Sequence, residues 1–245
     1  MFSRIHLWIF LLSSLLISSR GLAVTLQVAQ THWPPYIMSS KFGNGIAHDM
    51  VVDALTKAGY AITFNQKPWA RILKETLKGK NDVIVSIWKT PEREEFYLFS
   101  KPYMLNRMAV ISRKDLEFEF NDITSLKGKR VALINGYEYG SRLLEYQEMI
   151  KVDSIDLPNS LRLLLSKRAD VLITDEAVGQ WTMQELNLSL DRLNVSAKYF
   201  DQTPLYAAVR RDHPHAEEII EALNDYFEHY GEAKLKELKK RYGLE

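Results

Sequence analysis

The chain predicts an α/β fold built as two lobes around a shared cleft and joined by two crossing segments. Three observations lead there. Short aliphatic runs alternate with segments of helical periodicity, the signature of strand–helix units. One such unit occurs twice: LKGKNDVIVS and LSKRADVLIT share a helix end, a basic turn, an Asp and an aliphatic run, with Asp82 and Asp170 separated by 88 residues, as are Ser86 and Thr174. That spacing is too long for a solenoid repeat and suits two similar lobes. Finally, 245 residues are enough for two modest lobes, each with its own core.

Taken in order, residues 24–30 (VTLQVAQ) alternate apolar and polar side chains as a strand does, and Pro34-Pro35 forces the next loop to be extended. After the turn Gly43-Asn44-Gly45, residues 46–58 predict an amphipathic helix ended by Gly59. A strand over 60–65 follows, then a helix over 70–78 opened by Pro68-Trp69, then the turn Gly79-Lys80-Asn81. Residues 82–85 (DVIV) read as a buried parallel strand. A strand over 108–112 leads into the charged stretch 113–121, taken as the first crossing. The second lobe then opens with a strand over 130–135, a helix over 141–149, a helix capped by Asn159 or Ser160 and running to about Lys167, the strand 171–174 and a helix over 177–184. Residues 191–202 return to the first lobe. A strand over 204–210, a helix over 214–229 capped by Asp212 and ended at Gly231, and a last helix over 233–241 complete the chain. The expected organisation is 1–23 as an export signal, 24–112 plus 198–245 as lobe 1, and 113–197 as lobe 2.

The export signal rests on Arg4, an apolar run over residues 7–17 and small residues ending at Ala23, after which cleavage is expected. The apolar run is short for a membrane span. Loss of Arg4 and Arg20 takes Lys+Arg from 32 to 30 against 31 Asp+Glu, a balance that gives no support for nucleic-acid binding. There is no cysteine, which excludes disulfides, thiol catalysis, Cys-ligated zinc and a lipidated N-terminus. A periplasmic monomer without lipid anchor, metal or cofactor is the expectation. His213 and His215 flank Pro214 but have no third ligand near them in the sequence, so a solvated helix start is the simpler reading.

The most informative stretch is residues 82–104, DVIVSIWKTPEREEFYLFSKPYM. Ligands in open α/β sheets bind beyond the carboxyl ends of strands, which puts Ser86 and Trp88 at such a place. Thr90-Pro91-Glu92-Arg93 opens a turn or helical start. A guanidinium there can clamp a carboxylate bidentately; alternatively Arg93 pairs with Glu92, Glu94 or Glu95 on the surface. A strand, then T-x-x-R, then F-[ST]-x-P-Y resembles the bacterial periplasmic solute-binding proteins of family 3, the receptors of polar amino-acid ABC transporters. The resemblance implies the two-lobe periplasmic binding protein fold of type II. It also implies that Arg93 holds a ligand carboxylate.

Asp175, at the end of its strand, can pair with an ammonium group or cap the following helix, and its context resembles that of the family's amine-binding acid. Trp33 and Trp69 stand where the family presents aromatics to the ligand. Arg71 faces either the cleft as a second cation or solvent. Tyr137 and Glu138 occupy the loop where the family commonly has hydroxyl residues. Departures from the amino-acid pattern are Gln30 in place of an acid, Trp88 in place of a hydroxyl, and Glu138. The reading is a binding protein for a small amino acid or related carboxylate, serving an ABC permease or a sensor. Its rivals are a dehydratase-like enzyme of the same fold using Glu138, Glu176 or His32, and an accessory or chemosensory protein without transport.

Overall fold

The computed structural model describes residues 24–135 and 139–244. The expected export signal, Tyr137 and Glu138 therefore lie outside the described residues. Among the described residues, no helix is long and apolar enough to cross a membrane.

The first lobe begins with β1 (Thr25–Gln30), α1 (Ile46–Lys57), β2 (Ala61–Gln66), α2 (Trp69–Leu77), β3 (Val83–Ile87), the single-turn α3 (Pro91–Glu94) and β4 (Tyr97–Phe99). β1 is parallel to both β2 and β3. Alternation along β3 sends Val83 and Val85 to a core with α1 and Ile84 to a second core with Ile72 of α2, which Ile87 joins beyond a register irregularity in the pairing with the strand at 201–210. The sheet is thus covered on both faces, which is why the strand is a continuous aliphatic run.

The second lobe contains β6 (Arg130–Ile134), α4 (Ser141–Leu144), β7 (Ile150–Ser154), α5 (Leu157–Leu165), β8 (Val171–Asp175), α6 (Glu176–Glu185) and β9 (Leu193–Val195). Two ten-residue strands, β5 (Met104–Arg113) and β10 (Asp201–Arg210), tie the lobes together. They pair antiparallel over 104–108 and 201–205. Beyond that ribbon β5 pairs with β8 and β9, and β10 with β3 and β4. The resulting strand order is β2-β1-β3-β10-β5-β8-β6-β7. The chain ends in α7 (Ala216–Arg241), which packs on α1.

The sequence repeat corresponds to a repeated piece of structure. In the first lobe the Asp82 carboxylate accepts from Gln27 N–H at 2.7 Å, and Asp82 N–H donates to the Gln27 carbonyl at 2.7 Å. In the second, Asp170 does the same with Arg130, at 2.9 and 2.8 Å. Each Asp pins its strand to a parallel neighbour, β3 to β1 and β8 to β6.

Several expected boundaries move. Arg113, which opens the stretch expected as the first crossing, donates through Nη1 to the carbonyls of Leu164 and Ala169, both at 2.9 Å. We propose drawing both lobe boundaries at the 104–108/201–205 ribbon. The expected helix over 141–149 stops at Leu144, because Met149 is buried and the following residues pair with β6 as β7. α5 is capped by Asp156, whose carboxylate accepts from Asn159 N–H at 2.7 Å, not by Asn159 or Ser160. α7 starts at Ala216 without a side-chain cap from Asp212, and it continues through Gly231. A helical Gly costs only about 1 kcal/mol, less than the packing of Ile219, Leu223, Phe227 and Leu238 along one continuous face.

Candidate functional site

Strand directions decide where a site can form. β3 is antiparallel to β10, which is antiparallel to β5, so β3 and β5 both run toward the second lobe. β8 is antiparallel to β5 and runs toward the first. The carboxyl ends of β3 and β8 therefore converge on the ribbon: Ile87 is opposite Tyr206, and Asp175 is opposite Met108. That is the crevice in which α/β sheets place ligands.

On the first-lobe side, Thr90 caps α3 by accepting from Arg93 N–H at 3.3 Å, with Pro91 at the first helical position. This turn directs Arg93 back to the strand end, where its Nη1 donates to the Trp88 carbonyl at 2.7 Å. The guanidinium carbon lies 5.7 Å from the centre of the Trp69 ring. Glu94 is paired with Lys89 at 2.6 Å. Arg93, Trp69 and Trp88 are thus brought together at the ends of β2 and β3. Trp33 follows β1, half-buried, with its ring centre 4.5 Å from that of Tyr36.

Three sequence candidates do other work. Ser86 is buried, with its hydroxyl 2.6 Å from that of Tyr103. Tyr103 donates its only proton to the Val85 carbonyl at 2.9 Å, so Ser86 is the donor in that pair. Arg71 lies on the exposed face of α2, paired with Glu75 at 2.7 Å. Gln30 stitches β1 to β3 by donating to the Ser86 carbonyl at 2.6 Å. Of the other acid–base candidates, Glu176 accepts from the Tyr199 hydroxyl at 2.9 Å and His32 is exposed. Among the described residues, no cluster of three or more His, Cys, Asp or Glu side chains is arranged to hold a metal ion.

On the second-lobe side, Asp175 is 1% exposed and caps α6, accepting from Val178 N–H at 2.8 Å. The helix-cap role anticipated for it is therefore present. Two partners were not anticipated. The Tyr36 hydroxyl, from the loop after β1, is 3.0 Å from both carboxylate oxygens. Asn106, from the ribbon, donates its side-chain amide to Oδ2. A buried Tyr needs a partner for its hydroxyl, and an Asn inside an apolar strand needs one for its amide. Those two needs were the available signals, although neither names Asp175. A cavity of about 570 Å³ adjoins this cluster, bounded by Tyr36, Tyr103, Arg107, Glu176, Phe227 and Leu235.

Burial pushes the Asp175 carboxyl up to about 7, against the bonds from Val178 N–H and Tyr36, which favour the ionised form. Its folded-state pKa thus exceeds that of the unfolded chain, about 4. The stabilisation it contributes is fully present below about pH 4 and is lost as pH rises to about 7. Relative to wild type, Asp175→Asn should therefore gain about 1–3 kcal/mol in urea unfolding between those limits. A difference independent of pH would mean that Asn106 and the helix terminus hold the group ionised throughout.

The profile of the bacterial extracellular solute-binding proteins, family 3, matches residues 26–245. The chain belongs to that family. Among curated relatives, the ABC transporter arginine-binding protein 1 of Escherichia coli K12 is 29% identical over 166 residues, 66% of each chain and so just under two thirds of that relative's length. The L-cystine-binding protein TcyJ of the same strain is 22% identical over 197 residues, 79% of this chain and 72% of the relative. Among solved structures, the GluR0 ligand-binding core in complex with L-glutamate superposes with a TM-score of 0.71 at 18% identity, covering 91% of this chain and 99% of that one. A mutant of the arginine-binding protein of T. maritima gives 0.67 at 22% identity, over 90% and 96% of the two chains. These structures share the two-lobe fold of type II periplasmic binding proteins.

Proposed function

We propose that this protein captures a small amino acid or related carboxylate between its lobes, in the periplasm, and delivers it as a monomer to an ABC permease or a sensor. The observation that carries this is Arg93, held at the carboxyl end of β3 by the Trp88 carbonyl and set against the Trp69 ring. A guanidinium has five donors in a fixed fork and can hold a backbone carbonyl and a ligand carboxylate together. Trp33, Trp69 and Trp88 supply flat apolar surface for the ligand's body. Asp175 stands at the end of β8 in the opposite lobe, so closure about the ribbon brings both lobes onto the ligand. The names of the relatives, arginine- and cystine-binding proteins, support a solute of this class.

A thermal-shift screen against amino acids, organic acids, sugars and amines tests the class. A solute that binds only the folded state stabilises it by about 2.7 kcal/mol at a hundredfold excess over Kd and so raises the melting temperature by an amount that grows with that excess. Stabilisation is expected from carboxylate solutes. A response to a neutral sugar and to no carboxylate would reject the assignment.

A further inference from the structure

We propose that the ligand of this site is a carboxylate that presents no ammonium group to Asp175, because the protein's own Tyr36 and Asn106 fill that place. The inference rests on the solute-binding reading above and narrows its ligand class. An ionised carboxylate offers about four acceptor positions. On Asp175, Tyr36 bridges both oxygens, Asn106 donates to Oδ2, Val178 N–H donates to Oδ1, and Ala177 N–H adds a backbone bond. All three side chains are sealed: Asp175 and Asn106 are each 1% exposed and Tyr36 3%.

For an ammonium to reach Asp175 it would have to displace Tyr36 or Asn106. Each would then be left as a buried donor without an acceptor, a penalty set against the new ion pair. Charge works in the same direction. With its carboxyl raised to about 7 by burial, Asp175 does not present a full negative charge at neutral pH. A ligand carrying an ammonium would bring a cation to a saturated cluster that is only partly charged, whereas its des-amino counterpart would not. Tyr36 and Asn106 are specificity residues in this account, acting through Asp175.

The test uses protein expressed from the full 245-residue sequence and matched pairs differing only in the amine: L-glutamate with glutarate, L-arginine with 5-guanidinopentanoate, and L-phenylalanine with 3-phenylpropanoate. Isothermal titration of wild type should show the des-amino member of any binding pair at least tenfold tighter. Tyr36→Phe keeps the ring and vacates the carboxylate oxygens, and it should shift that ratio at least tenfold toward the amino acid. Asn106→Ala should shift it the same way. Equal binding within pairs, or preference for the amino acid in wild type, overturns the inference, as does a ratio that neither substitution moves. Arg93→Ala separates the two readings. If it leaves both members unchanged while the des-amino preference stands, the carboxylate clamp fails and this inference survives. If no pair binds at all, both fail.

Discussion

Arg93→Ala is expected to weaken binding of a carboxylate ligand by about 30- to 100-fold, with little change in the fold. Charge-assisted hydrogen bonds contribute about 1.5–3 kcal/mol each, and a bidentate fork makes two that are not fully additive. Loss of the bond to the Trp88 carbonyl and of the contact with Trp69 should cost the ligand-free protein only about 1 kcal/mol, because that carbonyl stays near water at the strand end. Arg93→Lys keeps the charge but not the planar fork and should fall between the two. Titration calorimetry of the three proteins against one carboxylate hit decides it. Equal affinities would remove Arg93 from the site and leave it as a cap on the end of β3.

Asp175→Ala should be the most damaging single change to stability near the cleft, at about 3–5 kcal/mol. It removes the cap of α6, usually worth about 1 kcal/mol, and orphans two buried donors at about 1–3 kcal/mol apiece, the hydroxyl of Tyr36 and the amide of Asn106. For a domain of this size each kcal/mol lowers Tm by about 2–4 °C, so a drop near 10 °C is expected by calorimetry. Below about pH 4, Asp175→Asn, which keeps an acceptor for the helix, should lose less than half as much, and the deficit should shrink as pH rises to about 7. A loss below 1 kcal/mol for the alanine variant would mean that solvent enters and satisfies both donors.

Where the sequence was informative, local chemistry did the specifying. The two helix–turn–Asp–strand units were legible because each Asp does the same job at the start of its strand, fixing it to a parallel neighbour, so the same short pattern arises in both lobes. Arg93 was legible because Thr90 and Pro91 set the turn that carries it. The strand β7 was not. Apolar and charged residues alternate only over Ile150–Asp153, too short a stretch to stand out, and four of the strand's five residues are not buried. α4 was overextended for the same reason, since the residues after Leu144 keep a helical composition while the sheet claims Ile150 onward. Arg71 was undecidable from the chain, because a cation in a first helical turn points to cleft or solvent according to packing that only the fold supplies. The Tyr36–Asp175 contact joins residues 139 positions apart, and no local pattern records such a pair.

The placement of β10 has a consequence for the order of assembly. This strand lies between β3 and β5 in the sheet, yet it follows every other described strand in sequence. Until it arrives, β3 has an unpaired edge carrying Val83, Ile84 and Ile87, an apolar template of the kind that recruits other chains. The second lobe is continuous in sequence and can fold while the first waits. Closing a loop that long adds only a few tenths of a kcal/mol for each modest increase in length, so the delay is a matter of time and not of equilibrium cost. β3 is therefore made before the second lobe and paired only after it, and the interval in which it stands open is one in which the chain is exposed to aggregation.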